Sequence, residues 1–249
     1  MSGHSKWSTI KRKKGALDSR RSKIFSKLSK EITVAAKLGG PDIDANSRLR
    51  LAVQNAKGQN MPRDVIERAV SKAEKDTSSF EEMTFEGYGT GGVAIFVECL
   101  SDNNNRTVGS IRSAFSKYDG HLGVNGSVAY LFETKGIFVV PANEITQTDD
   151  FELGMIEAGA EELEESDEYL EITSLMEDFG SVSKKLEELG VETESQGLQR
   201  LPVTTVTLGV EEARKVLRLI ERLEEDDDVQ QVYHNLEITS ELEEVLVNE

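Results

Sequence analysis

Between Gly136 and Leu198 six segments follow in the order strand, helix, strand, strand, helix, strand. Gly136–Val140 is a run of apolar, β-branched and aromatic residues and predicts a strand. Asp149–Ala158 predicts a helix, and Glu161–Ser166 and Tyr169–Thr173 two strands about a turn at Asp167 and Glu168. Phe179–Leu189 predicts a second helix and Val191–Leu198 a last strand. This order, β-α-β-β-α-β in about 65 residues, is the ferredoxin-like order.

Its flanks match each other. Gly92–Leu100, Thr107–Tyr118 and Ser127–Phe132 predict strand, helix, strand before it; Thr204–Leu208, Val210–Leu223 and Val229–Asn235 predict the same after it. The two trios can pair into one α+β domain, into which the ferredoxin-like unit is inserted. Two consecutive small domains are the alternative.

The first third reads as helices. Leu17, Ile24, Leu28, Ile32 and Ala35 recur at helical spacing and lie within about 80° of one another at 3.6 residues per turn. Arg20, Lys23, Lys27, Lys30 and Lys37 occupy another arc, predicting a basic stripe on the outside. Arg21 falls on the apolar side and Val34 on the basic side. Gly39-Gly40-Pro41 stops this helix. A second helix, Ala45–Lys57, turns Leu49, Ala52, Val53 and Ala56 inward. A third starts at Pro62 with Asp64 in its first turn, and turns Val65, Ile66, Ala69, Val70 and Ala73 inward. The expected architecture is α+β and multidomain: a basic three-helix bundle with an N-terminal arm at 1–78, an α+β domain at 79–134 plus 202–249, and an inserted ferredoxin-like domain at 135–201.

Charge divides the chain the same way. The whole carries a net charge of -17, yet the first thirty residues hold ten Lys or Arg and a single acid, Asp18. Residues 1–75 have 18 basic and 7 acidic side chains, whereas 76–249 have 11 and 39. A basic stripe with few compensating acids repels itself unless a partner supplies negative charge, so the expected partner is a polyanion, nucleic acid foremost. Gly3-His4-Ser5-Lys6-Trp7 holds the only tryptophan, just before Lys11, Arg12, Lys13 and Lys14. That pattern suits stacking on an unpaired base amid phosphate contacts, and equally a tryptophan packed on the bundle. The candidate nucleic-acid-binding residues are Lys6, Trp7, Lys11, Arg12, Lys13, Lys14, Arg20, Lys23, Lys27 and Lys30.

Other motifs point less far. Gly87–Gly92 is glycine-rich but precedes a strand, whereas a phosphate-cradling loop follows one, so a turn is expected. Ser101–Thr107 joins a strand to a helix; Asn105 or Asp102 can cap that helix, and Asn103, Asn105 and Arg106 are candidate loop contacts. Gly120–Gly126 predicts a second, mobile loop. The acidic runs Glu157–Glu171 and Glu221–Asp228 read as solvated faces. Three scattered histidines and one cysteine, Cys99, build no zinc site of the usual kind and no disulfide within the chain. No catalytic constellation, metal site or cofactor is expected. With no apolar stretch of about 18 residues and no apolar leader, the expectation is a cytoplasmic protein away from membranes.

These residues also carry a resemblance. Gly3–Trp7, Ile10-Lys11, Phe25–Leu28, Glu31-Ile32 and Gly39-Gly40 look like the N-terminal signature of the YebC family. Arg48–Arg50, Ala56-Lys57, Asn60–Pro62 and Arg68-Ala69 continue it, as do Glu86–Gly89, Gly92–Ile95, Asp102-Asn103, Asn105–Thr107 and Gly126–Val128. Thr90 and Ile43 stand where that family usually has proline. The resemblance implies a helical bundle, an α+β domain and an inserted ferredoxin-like domain. It implies a non-enzymatic regulator of gene expression: bacterial members are generally labelled DNA-binding transcriptional regulators. The alternative is a translation factor on ribosomal RNA that relieves stalling, since mitochondrial relatives look like translational activators. A body of net charge -28 over residues 76–249 repels a long duplex, which leans toward ribosomal RNA; the family's common label leans toward DNA. The ribosome is thus a candidate partner, and the oligomeric state stays open, a monomer included.

Overall fold

The structure is a computed structural model that describes residues 17–75, 79–145, 148–166 and 168–247, the side chains at 17–20, 74, 75, 148 and 247 excepted. Along the chain run α1 (Leu17–Gly39), α2 (Ser47–Gly58), α3 (Arg63–Lys75), β1 (Glu81–Tyr88), β2 (Ala94–Ser101), α4 (Asn104–Lys117) and β3 (His121–Leu122). Then follow β4 (Phe132–Pro141), α5 (Thr148–Glu157), β5 (Ala160–Glu165), β6 (Tyr169–Leu175), α6 (Phe179–Glu188) and β7 (Ser195–Pro202). The last elements are α7 (Val210–Glu224), β8 (Val229–His234) and α8 (Ser240–Val247). The fold is α+β, with a helical N-terminal region followed by two four-stranded sheets. The described residues form two compact units, one within 17–23, 79–133 and 200–247, the other within 24–75 and 134–199.

In the second unit, α1, α2 and α3 bury Ile32, Ala35, Ala36, Leu49, Ala52, Val53, Ala56, Met61, Ile66 and Ala69 against one another. The corner between α1 and α2 is closed by Asn46. Its Nδ2 donates to the carbonyls of Ala35 and Gly40, each at 2.8 Å, and its Oδ1 accepts the Leu49 N–H at 3.1 Å. Those bonds cap α2 and satisfy the carbonyls left at the end of α1. Gly39 is needed there, because a Cβ would lie 2.6 Å from the Asn46 amide nitrogen. The sequence pattern put Val34 on a solvent-facing basic arc, but Ile32 through Ala36 are all buried. Neighbouring chain encloses α1 on every side at this level. Thr33 tolerates this because its hydroxyl lies 2.9 Å from the Ser29 carbonyl and 3.0 Å from that of Ala69.

The same unit holds the sheet β5-β6-β4-β7. Counted along the segment this is the order 2-3-1-4, and β6 runs antiparallel to both β4 and β5. That is the ferredoxin-like topology the element order predicted. Helices α5 and α6 cover one face, packing Phe151, Met155, Val182 and Leu186 on Phe138, Val140, Leu170 and Ile172. The two parts of this unit meet where α2 approaches the start of β7: the Asn55 side chain bonds the backbone of Gln196, and Gln59 Nε2 lies 3.3 Å from the Glu194 carbonyl.

In the first unit, β2 lies between β1 and β8, all antiparallel, with β3 on the far side of β1. Side chains alternate along β2. Ile95, Val97 and Cys99 join the core under α4, α7 and α8, while Ala94 and Phe96 pack on the other face with Val128, Phe132 and Tyr233.

Several elements differ from the sequence expectation. The strand expected over 127–132 is instead a 3-10 turn, Ala129–Leu131, and β4 starts at Phe132 and continues to Pro141. The cause is Glu86. Its carboxylate accepts the N–H groups of Gly126, Val128 and Ala129 at 2.6, 2.7 and 2.9 Å, so these donors are unavailable to a β-ladder. These bonds also tie down the loop expected to be mobile. The strand expected over 204–208 shrinks to one bridge, Val206 to Leu236. β1 and α8 were not expected. Gly91 and Gly92 do take positive φ in a turn, but Gly87 lies inside β1.

Candidate nucleic-acid interface

The described helices 17–75 carry thirteen Lys or Arg against seven acids. Several of these cations are already matched within the bundle. Arg48 reaches across from α2 to α1 and grips the Glu31 carboxylate with two bonds, Nε to Oε1 at 2.7 Å and Nη2 to Oε2 at 3.2 Å. On α3, Arg63 pairs with Glu67 at 2.8 Å and Arg68 with Asp64 at 2.7 Å, both one turn apart on the surface. Arg50 donates to the carbonyls of Ile43 and Asp44, fixing the α1–α2 connection.

The stripe predicted on α1 is brought together as a row. Lys23, Lys27 and Lys30 follow at spacings of four and three residues, so they share one face of the helix. Lys23 is exposed, Lys27 and Lys30 are half-buried, and Lys37 is exposed in the last turn, where the helix dipole favours a cation. The Arg20 backbone belongs to α1; its side chain, together with Lys6, Trp7, Lys11, Arg12, Lys13 and Lys14, lies outside the described residues. The sequence reading placed the candidate basic contacts on the N-terminal arm and α1. Lys57 at the end of α2 and Lys72 on α3 are exposed cations as well. The excess of bases running as far as residue 75 was the signal for them.

The asparagine loop resolves differently from its expected capping. The cap of α4 is Asn103, whose Oδ1 accepts the Arg106 N–H at 3.1 Å, rather than Asn105 or Asp102. A cap side chain reaches the donor three residues on, and α4 begins early enough for Asn103 to hold that place. Asn105 is exposed. Arg106 turns inward upon Asp228: Nε donates to Oδ2 at 3.0 Å and Nη2 reaches both carboxylate oxygens at 2.8 Å. Nη2 also lies 2.9 Å from Asp102 Oδ1. Asp228 is buried and takes the Thr107 hydroxyl at 2.9 Å besides. The hydrogen bond that the guanidinium donates to Asp228 is the main reason it holds its proton more tightly than usual. Arg106 thus joins the turn before β8 to the start of α4.

Among the described residues no group of three or more His, Cys, Asp or Glu is placed to hold a metal ion, and no helix is long and apolar enough to cross a membrane.

Comparison with known proteins decides the family. Residues 5–76 match the model of the TACO1/YebC protein N-terminal domain, and residues 80–236 that of the TACO1/YebC second and third domain. The chain belongs to the TACO1/YebC family. YebC-family relatives align along almost their whole length. One from Amoebophilus asiaticus is 51% identical over 239 residues, covering 95% of this chain and 98% of the relative. One from Geobacillus thermodenitrificans is 50% identical over 240 residues, covering 95% and 97%. Both are named probable transcriptional regulatory protein. The crystal structure of a conserved hypothetical protein from Aquifex aeolicus superposes with a TM-score of 0.79 at 44% identity, covering 88% of this chain and 91% of that one.

Proposed function

We propose that this YebC-family chain is a DNA-binding transcriptional regulator that contacts duplex through its basic N-terminal third. The observation that carries this is the row Lys23, Lys27 and Lys30 on α1, within a region of 18 bases and 7 acids, on a chain otherwise of 11 bases and 39 acids. Such a charge distribution admits a polyanion at one end of the sequence and repels it elsewhere. The name shared by the relatives supports a role in transcription. In this reading residues 1–78 are the binding module. The modules 79–134 with 202–249, and 135–201, restrict where nucleic acid approaches. The protein acts in the cytoplasm by binding rather than catalysis, without a cofactor.

The test is selection of genomic duplex fragments by the full chain, alongside sedimentation of lysate at moderate salt. Retention of particular duplex sequences, with log affinity falling linearly in log salt, is the expected result. Co-sedimentation with ribosomes and no duplex preference would overturn it in favour of a factor on ribosomal RNA.

A further inference from the structure

Helix α5 is apolar on two sides. Phe151 and Met155 face the core of the ferredoxin-like part, as a helix on a sheet requires. Leu153 and Ile156 point the other way and are 57% and 58% exposed. Single exposed apolar residues are ordinary. These two are three residues apart, so they stand side by side as one ridge. Beside the ridge runs an open groove of about 360 Å³ between α5 and α6. Gly154, Glu157 and Ala158 lie on its α5 side, and Ser181, Lys184, Lys185 and Glu188 on its α6 side, so the groove itself is near neutral and the acidic field belongs to the ridge. A ridge next to a groove, with Gly154, Ala158 and Ser181 leaving room among charged neighbours, is a relief on which another helix can pack.

Charge narrows the occupant. Residues 134–199 carry 18 acids and three bases, Lys135, Lys184 and Lys185. Asp149, Asp150, Glu152 and Glu157 on α5 are all exposed around the ridge. Lys135 is engaged by Glu161 at 2.9 Å, and Lys184 lies 3.5 Å from Glu188. The field here repels nucleic acid and attracts a cation. We propose that the outer face of α5, with the groove beside it, is a docking surface for a basic amphipathic helix of a partner protein. The partner's apolar edge sits on Leu153 and Ile156, and its lysines or arginines face Asp149, Glu152 and Glu157. This surface belongs to a different helix from the basic row on α1, and nothing inferred for it rests on what that row binds.

The probe is a Leu/Lys amphipathic peptide of about 18 residues, long enough to form a helix on contact, titrated into the full chain and followed by NMR. Shifts centred on α5 and α6 are expected, and affinity should fall by about tenfold or more in Leu153→Asp/Ile156→Asp, as for loss of a central apolar contact. Both side chains are exposed, so that variant folds; an unchanged melting temperature checks it. Asp149→Lys/Glu152→Lys should also weaken the complex while leaving the ridge intact. Equal binding by either variant, or equal binding of the same peptide with Glu in place of Lys, would overturn the proposal. In cells, a photo-crosslinker at position 153 should capture a Lys/Arg-rich segment of another protein. Capture of nucleic acid, of a second copy of this chain, or of nothing would count against it.

Discussion

Asn55 and Gln196 exchange two hydrogen bonds, the Gln196 N–H donating to Asn55 Oδ1 at 2.8 Å and Asn55 Nδ2 donating to the Gln196 carbonyl at 2.9 Å. A side-chain amide thereby does for the first turn of β7 what a neighbouring strand would do. The Gln196 side chain is held from two sides, by Gln54 at 3.0 Å and Ser183 at 3.0 Å. Asn55→Ala should destabilise the chain by about 1–3 kcal/mol, the cost of leaving both backbone groups unsatisfied. It should also speed exchange of the Gln196 amide proton. Gly58 stands one turn on, where a Cβ would collide with the carbonyl oxygens of Thr193 and Glu194. Gly58→Ala should therefore loosen the same contact, and its effect should not add to that of Asn55→Ala, because both act on one junction.

Glu86 predicts a distinct acid response. Burial alone raises its pKa, but the N–H groups of Gly126, Val128 and Ala129, with the field of Arg200, outweigh this and hold it below 4.5. A depressed carboxylate contributes stability that is complete above its unfolded pKa and is lost as pH falls through the folded one. Glu86→Gln should cost about 1–3 kcal/mol at neutral pH and flatten the pH dependence of stability below about pH 4.5. Urea denaturation across pH reads both. Amide exchange at Val128 and Ala129 should rise in parallel.

Arg106 predicts a loss of stability rather than of binding. Asp228 has 5% side-chain exposure, against 53% for Arg106. Removing the guanidinium takes the opposite charge away from a buried carboxylate that also accepts the Thr107 hydroxyl. Arg106→Ala should cost about 1–3 kcal/mol, less than for a fully buried pair because Arg106 is half in water. Arg106→Lys should recover only part, since an ammonium cannot reproduce the fork. The salt dependence of nucleic-acid binding should be unchanged in both; a reduced slope would make Arg106 an external contact.

The row on α1 predicts the converse. Replacing Lys23, Lys27 and Lys30 by Gln should leave the melting temperature within a few degrees and weaken binding to duplex. The slope of log affinity on log salt should fall by about 0.9 for each lysine that meets a phosphate. An unchanged slope would remove α1 from the contact.

What the sequence disclosed followed local signals. The ferredoxin-like order was readable because the continuous β-branched and aromatic run Ile137–Val140 and the helical stripe of Phe179, Val182 and Leu186 are plain local signals. α7 was readable because Val216, Leu217, Leu219, Ile220 and Leu223 crowd one side of it. β1 was hidden, since Glu81, Glu82, Thr84 and Glu86 make it look like linker. Its place depends on register with β2, a contact no local pattern contains. The turn at Ala129–Leu131 was misread because its sequence is apolar enough for a strand; the carboxylate that overrules it is more than forty residues away. Of the basic site, the charge was legible, but not that α1 is enclosed at Ile32–Ala36, since Val34 and Thr33 are buried by tertiary contacts alone.

The pairing of β2 with β8 has a consequence for biosynthesis. β2 ends at Ser101 and the strand that covers its open edge begins only at Val229. At about 5–20 residues per second that edge waits on the order of ten seconds on a growing chain. An uncovered apolar strand invites pairing with other nascent chains. Glu98, the one charged residue of β2, sits in the middle of that edge until Gln231 arrives opposite it. The residue that in the finished protein holds Arg200 and meets the Tyr233 hydroxyl would until then put a negative charge on the open edge, where charge discourages pairing with another strand.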